Sequence, residues 1–176
     1  AMVRDLMALP FLKTPRNVLI TGPTGIGKTY LATAIGEYAC RSGYTCIFVG
    51  IHVLMEKLMM TRADGTYLKY RDRLIKTDLL IIDDVGLKRL PPEIAIDLHD
   101  LLEERQTRST LITTQLPLKN WKEIIEDPAI YPDEATLQNL FTVLPYDSRT
   151  QRQVTTDEKG PARAARLMLA FGPEQA

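Results

Sequence analysis

The stretch Asn17-Val18-Leu19-Ile20-Thr21-Gly22-Pro23-Thr24-Gly25-Ile26-Gly27-Lys28-Thr29 decides how the rest of the chain is read. Asn17 to Thr21 is a short apolar run, the pattern of a buried strand. Gly22 and Gly27-Lys28-Thr29 fill every fixed position of G-x-x-x-x-G-K-[ST]. Each fixed residue has a physical task. The glycines let the backbone turn tightly and bring its N–H groups against phosphate oxygens. A helix beginning at Lys28 adds the positive end of its dipole. The Lys28 ammonium reaches β- and γ-phosphates, and the Thr29 hydroxyl coordinates magnesium. The expected nucleotide-binding set is Gly22, Pro23, Thr24, Gly25, Ile26, Gly27, Lys28, Thr29 and Tyr30, with a nucleotide's phosphates and Mg2+ as ligands.

The pattern outward from this stretch alternates strand and helix. Leu31, Ile35, Tyr38 and Ala39 fall at i, i+4, i+7 and i+8, one apolar helical face, and Gly43 is the expected stop. Tyr44 to Val49 reads as a strand. A helix with Ile51, Leu54, Met55, Leu58 and Met59 facing the core follows. From Thr61 to Lys76 the chain is polar, expected as a loop and a second short helix. Leu79-Leu80-Ile81-Ile82 is the continuous apolar run of a central parallel strand. Pro91-Pro92 open a helix on Ile94, Leu98, Leu101 and Leu102. Thr110 to Thr114 is a fourth strand, and Leu118 to Glu126 a short helix. Such alternation predicts an α/β fold, a parallel sheet with helices on both faces. Its ligands bind at the carboxyl ends of the strands.

Two further groups stand at strand ends. Leu79-Leu80-Ile81-Ile82 runs into Asp83 and Asp84. Asp83 is the expected magnesium-side ligand, acting through water, and Asp84 orients or deprotonates the attacking water. An ordinary Asp-capped strand end is the plain alternative. Gln115 follows the fourth strand, where its amide can reach the γ-phosphate or that water; the alternative is a polar loop start.

In this order and spacing these elements resemble the AAA+ ATPases, and most closely their IstB-like and DnaC-like group of transposition helpers and helicase loaders. The likeness covers residues 16–130. It is carried by Asn17 to Thr29, Arg62-Ala63-Asp64-Gly65, Lys76 to Asp84, Leu101-Leu102-Glu103-Glu104-Arg105, Ser109 to Pro117 and Trp121-Lys122-Glu123-Ile124-Ile125. Gln115-Leu116-Pro117, Trp121-x-x-Ile124-Ile125 and Glu126-Asp127-Pro128 favour the transposition-helper branch. The resemblance implies a P-loop NTPase with Lys28 and Thr29 as Walker A, Asp83 and Asp84 as Walker B, and Gln115 as sensor 1. It also implies ATP hydrolysis, ATP-dependent homo-oligomers, non-specific contact with the DNA backbone, and a transposase or replicative helicase as partner.

The chain departs from that pattern at both ends. About 16 residues precede the first strand, where relatives carry a helical region. After Ile130 the family continues with an Asp-Arg-Leu arginine motif. Here Tyr131-Pro132-Asp133-Glu134-Ala135 follows, and Arg149, Arg152, Arg163 and Arg166 fit no family position. The expected organisation is a lead-in at 1–15, an ATP-binding core at 16–130 and an atypical, partly flexible segment at 131–176, with Leu140 to Leu144 as a candidate fifth strand. A frame shift near residue 130 is one account of the change; coding DNA in which no shift restores the family's ending would dismiss it. Without the arginine, which in this class can be worth ~10³–10⁵ in rate, binding with slow or absent turnover is expected.

Composition sets outer limits. The 176 residues carry 22 basic and 22 acidic side chains, so no whole-molecule field draws the chain to a polyanion. At 45 % hydrophobic and 25 % charged it is globular and of single-domain size. No apolar run approaches the ~18 residues of a membrane span. The opening Ala1-Met2-Val3-Arg4-Asp5 lacks a signal-peptide layout, so a cytoplasmic setting is expected. Cys40 and Cys46 are expected as buried free thiols, and His52 and His99 as structural. Arg62, Lys69, Arg71, Arg73 and Lys76 form a basic cluster diluted by Asp64, Asp72 and Asp78. It reads as a solvated face, which the family likeness raises to a candidate DNA contact. Tyr67 and Tyr70 within it read as packing residues. Three function readings follow: a DNA-associated ATPase helper in transposition or helicase loading, a truncated remnant that binds ATP without efficient hydrolysis, and a small-molecule phosphotransferase. The last is disfavoured by the paired acids and Thr113-Thr114-Gln115.

Overall fold

The structure, a computed structural model, describes residue 6, residues 8–125 and residues 134–146. The short helix α1 (Pro10–Lys13) leads into β1 (Asn17–Thr21). Then come α2 (Lys28–Arg41), β2 (Cys46–Gly50), α3 (Ile51–Asp64), α4 (Tyr67–Lys76) and β3 (Leu79–Val85). After these lie α5 (Pro92–Glu104), β4 (Ser109–Thr114), a 3-10 helix (Leu118–Glu123), α6 (Glu134–Leu140) and β5 (Phe141–Pro145). The five strands form one parallel sheet in the order β2-β3-β4-β1-β5.

Period-2 alternation explains the two-sided core. Leu19, Leu80, Ile82 and Ile112 face Leu54, Leu58, Leu74, Ile94, Leu98 and Trp121. Val18, Ile20, Ile81 and Leu111 face Leu12, Leu31, Ile35 and Ala39. Successive strand residues point to opposite faces, and both faces are covered at the centre of the sheet, so the inner strands β1, β3 and β4 each carry a continuous apolar run. Each Leu or Ile so buried contributes about 1.5–3 kcal/mol before entropy is charged against it.

Local chemistry ends the helices. Gly43, at φ +91°, closes α2. There the Ser42 N–H donates to the carbonyls of Tyr38 and Ala39, and the Tyr44 N–H to Ala39. Gly65, at φ +79°, closes α3. That cap moves one expectation: Thr61 to Asp64 are helical, and only Gly65 and Thr66 separate α3 from α4. β2 starts at Cys46, two residues later than expected. Leu118–Glu123 is a 3-10 turn, with Trp121 buried at its heart.

Several side chains depart from their expected burial. Met59 is 62 % exposed. The buried stripe of α3 is only Ile51, Leu54 and Leu58; α3 follows β2, the edge strand of the sheet. Cys40 is exposed and Cys46 half-buried. Cys40 lies one residue, about 100° of helix turn, past the buried Ala39. Tyr38 is also largely exposed.

Three details bear on the site. First, Ile82 pairs with Ile112 and Val85 with Thr114, so Asp83 and Asp84 together oppose Thr113, a β-bulge. Second, β5 runs beside β1, and the Tyr146 N–H beyond it donates to the Thr21 carbonyl at 2.7 Å. A Cβ on Gly22 would lie 2.0 Å from the Tyr146 carbonyl oxygen. Third, Arg105 is fully buried at the opposite, amino end of the sheet. It donates from Nε to the Thr110 hydroxyl (2.9 Å), from Nη1 to the carbonyls of Leu74 (2.5 Å), Ile75 (3.1 Å) and Thr77 (2.9 Å), and from Nη2 to Ser109 O (2.6 Å).

Candidate functional site

The carboxyl ends of β1, β3 and β4 are adjacent, since β4 lies between the other two. Residues far apart in sequence therefore meet there. Gly25 and Gly27 take φ +83° and +93° with open space where a Cβ would stand, so backbone conformation, not crowding, calls for glycine. Gly27 precedes the first turn of α2, which begins at Lys28.

Lys28 is almost fully buried. Its ammonium donates to the carbonyls of Gly22 and Pro23, each at 2.8 Å. An ammonium has three protons, so one remains for a ligand. Burial pulls the Lys28 pKa below the ordinary lysine value, while Asp84 and Asp83 pull the other way. Its charge is thus held in a partly dry place, where its attraction for a phosphate is strengthened.

The Thr29 hydroxyl donates to the Asp83 carboxylate, 3.0 Å from Oδ2 and 3.2 Å from Oδ1. Asp83 is buried, and its Oδ1 also accepts the Thr113 hydroxyl at 2.5 Å. Asp84 adopts φ +66°, one of two non-glycine residues with positive φ among those described. Its N–H donates to the Thr113 hydroxyl at 2.9 Å. Gln115 reaches across to the loop, where its Oε1 accepts the Thr24 hydroxyl at 2.6 Å.

The structure therefore brings Thr24, Lys28, Thr29, Asp83, Asp84 and Gln115 to one end of the sheet. Tyr30 lies in the first turn of α2 and is 51 % exposed, while Ile26 packs into the core face that includes Tyr146. Thr113 was missed as a site residue, and no local sequence pattern marks it, because its partners lie on the neighbouring strand β3. Among the described residues, no group of three or more His, Cys, Asp or Glu is placed to hold a metal alone. The oxygens of Thr29 and Asp83 are the hard donors magnesium prefers, and phosphate and water must complete such a set. The residues present fit a magnesium-nucleotide.

Residues 1–141 match the family described as IstB-like ATP-binding protein. The chain belongs to that family. The match is wider than the span 16–130 on which the sequence likeness rests. An IstB-like relative from Pseudomonas fluorescens, described as an ATP-binding protein of insertion sequence IS1162, is 38 % identical over 117 residues, 66 % of this chain and 51 % of that one. The chain spans about half the length of the curated relatives it matches. The AMPPCP-bound DnaA of Aquifex aeolicus superposes with a TM-score of 0.72 at 18 % identity, covering 97 % of this chain and 55 % of DnaA. A DnaC helicase loader superposes with a TM-score of 0.67 at 18 % identity, covering 83 % and 86 %. At that identity the likeness concerns the fold, which is the P-loop AAA+ arrangement expected from the sequence.

The other sequence candidates lie elsewhere in this IstB-like core. Arg62 bonds Asp97 at 2.6 Å and stacks over Tyr67 at 4.3 Å; Arg71 bonds Glu104 at 2.5 Å and Lys76 bonds Asp72 at 2.8 Å. Much of the basic cluster is thus neutralised, and Tyr67 and Tyr70 pack against the core. His99 sits beside Asp100 and Glu103 on α5, away from the strand ends. Arg149, Arg152, Arg163 and Arg166 lie outside the described residues, as does the proposed break near residue 130. Among the described residues no helix is long and apolar enough to cross a membrane.

Proposed function

We propose that the chain binds ATP with Mg2+ at the carboxyl end of its sheet and serves as a nucleotide-dependent helper on DNA in transposition. The observation that carries the binding is the convergence of Lys28, Thr29 and Asp83 on the Gly22–Gly27 loop. The insertion-sequence relatives support transposition over helicase loading. In this reading Lys28 holds the β- and γ-phosphates, and the loop N–H groups from Thr24 to Thr29 close on their oxygens. Thr29 and Asp83 hold magnesium, which neutralises phosphate charge when bound. Asp84 orients the attacking water, and Gln115 leaves Thr24 to engage the γ-phosphate or that water. DNA contact is through the backbone, weak and salt-sensitive. A transposase is the protein partner, the working form is an ATP-dependent homo-oligomer, and the setting is cytoplasmic.

Thermal melting with and without Mg-ATP tests the site. Ligand at ~100 times Kd adds about 2.7 kcal/mol. For a domain this size that raises the melting temperature by roughly 5–11 °C. The shift should vanish in Lys28→Ala. An equal shift in that variant would mean the nucleotide binds elsewhere. Release of phosphate, followed with and without duplex DNA, then separates a turning-over helper from a binding-only remnant.

A further inference from the structure

We propose that Thr113 is a positioning residue that sets both acids of the site through one hydroxyl. The inference rests on the magnesium-nucleotide reading above and adds a residue to it. Three observations converge. Thr113 is the single β4 residue opposite the bulge that holds Asp83 and Asp84. It is 1 % exposed, so water does not compete for its hydroxyl. That hydroxyl donates to Asp83 Oδ1 at 2.5 Å and accepts from the Asp84 N–H at 2.9 Å.

The chemistry follows from the inventory of a hydroxyl, which has one proton and two lone pairs. The proton is committed to Asp83. This matters because the terminal torsion of an aspartate is broad and does not by itself fix the carboxylate plane. Thr113 holds that plane from the interior while Thr29 meets it from the loop side. A lone pair of the same oxygen holds the Asp84 N–H in a left-handed backbone conformation that a non-glycine residue resists. A bulge of this kind re-aims side chains at a strand end. Here it turns two successive acids towards one site, where a regular strand would send them to opposite faces.

Removing a partner behind a metal ligand typically costs 10–100-fold in metal affinity. The test therefore reads magnesium dependence, not turnover. A fluorescent ATP analogue is titrated into the full chain in Mg2+ and in EDTA. Wild type should bind more tightly in Mg2+. Thr113→Val should lose about tenfold or more of that gain and keep its EDTA affinity, while Thr113→Ser should stay within about threefold of wild type. In Asp83→Asn, adding Thr113→Val should have no further effect on the gain.

A full magnesium gain in Thr113→Val overturns the proposal and leaves the site reading intact. No analogue binding by wild type in either buffer overturns both. Loss of the gain in Thr113→Ser as well would mean that packing, not the hydroxyl, is at work, and it also overturns the proposal. Should Thr113→Val melt below the assay temperature, Thr113→Cys takes its place, being close in size and a weaker donor. A wild-type gain in that variant overturns the proposal; a reduced gain with unchanged EDTA affinity supports it.

Discussion

Lys28 and Arg105 are both buried cations, at opposite ends of the same sheet, and their surroundings differ in kind. Arg105 spends its guanidinium on four backbone carbonyls and one hydroxyl, all within the chain. Lys28 bonds two carbonyls of its own loop and keeps a proton in reserve. Burial pulls the Arg105 guanidinium down to about 10, with Arg108 adding to the effect and Asp78 opposing it. Lys28 is lowered by burial too, but two carboxylates hold its charge. The lesson is that burial alone does not mark a functional charge. Unspent hydrogen-bonding capacity beside a glycine-rich loop does.

The comparison breaks most easily at Arg105. Arg105→Ala leaves four carbonyls at the ends of α4, β3 and β4 without this donor. The expected loss is ~4–5 kcal/mol, at the upper end of single substitutions. Arg105→Lys should recover little, since an ammonium cannot reproduce the planar fork. Urea unfolding followed by circular dichroism measures both. A loss below ~1 kcal/mol for Arg105→Ala would contradict the structural role assigned here.

Lys28→Ala should behave in the opposite way. Its fold should hold to within ~1 kcal/mol, because a buried charge and its desolvation cost leave together. What it loses is the stabilisation of about 2.7 kcal/mol from saturating Mg-ATP. Unfolding curves with and without ligand separate the two quantities. A Lys28→Ala protein that is badly destabilised without nucleotide would place Lys28 in the same class as Arg105.

Asp97 sharpens the contrast as an intermediate case. One of its oxygens accepts from Arg62 at 2.6 Å and from the Tyr67 hydroxyl at 2.8 Å, while the other is buried without a hydrogen-bond partner among the described residues. Arg62→Met should cost ~1–3 kcal/mol by stripping a donor from that carboxylate. Arg62→Met with Asp97→Asn should recover part of the loss. If the two substitutions add without interaction, the pair is not a unit.

The smallest effect belongs to an acid near Arg105. The N–H and hydroxyl of Thr45, with Arg108 contributing less, hold the Asp78 carboxyl below its usual 3.8. A depressed carboxylate pKa gives stability that is present above the unfolded value and lost as pH falls through the folded one. Wild type should therefore lose more stability than Asp78→Asn only below about pH 4. Melting curves from pH 7 to pH 3 check this. Parallel curves for the two proteins would remove Asp78 from the account.

The sequence made the frame of this molecule legible for a plain reason. Its strands are buried on both faces, so Val18 to Ile20, Leu79 to Ile82 and Leu111 to Ile112 stand out as uninterrupted apolar runs. The glycine loop announces itself because only glycine tolerates φ +83° and +93° at Gly25 and Gly27. Asp83, Asp84 and Gln115 were visible because each follows the recognisable run of a strand, the first two within the last residues of β3 and Gln115 just after β4. Thr113 was not, since its partners sit 29 and 30 positions away on another strand, across a bulge that no local pattern foretells. Arg105 was hidden for the same reason: its acceptors are mostly backbone carbonyls, and those carry no residue signature. Cys40 and Met59 went astray through angular resolution. A helical stripe read from spacing is wider than the narrow face that packs beside an edge strand.

Gly22 has a further consequence. The pattern counts it among the phosphate-binding glycines, yet the tightest neighbour of a side chain there is Tyr146 O, just past the end of β5. A genetic screen would score Gly22→Ala as a nucleotide-binding defect. Its suppressors should then arise not around the phosphates but at Pro145 and Tyr146, where a small backbone retreat reopens the gap. Selection at the first position of the loop would thus be exerted partly by a segment more than 120 residues away. The two should drift as a pair.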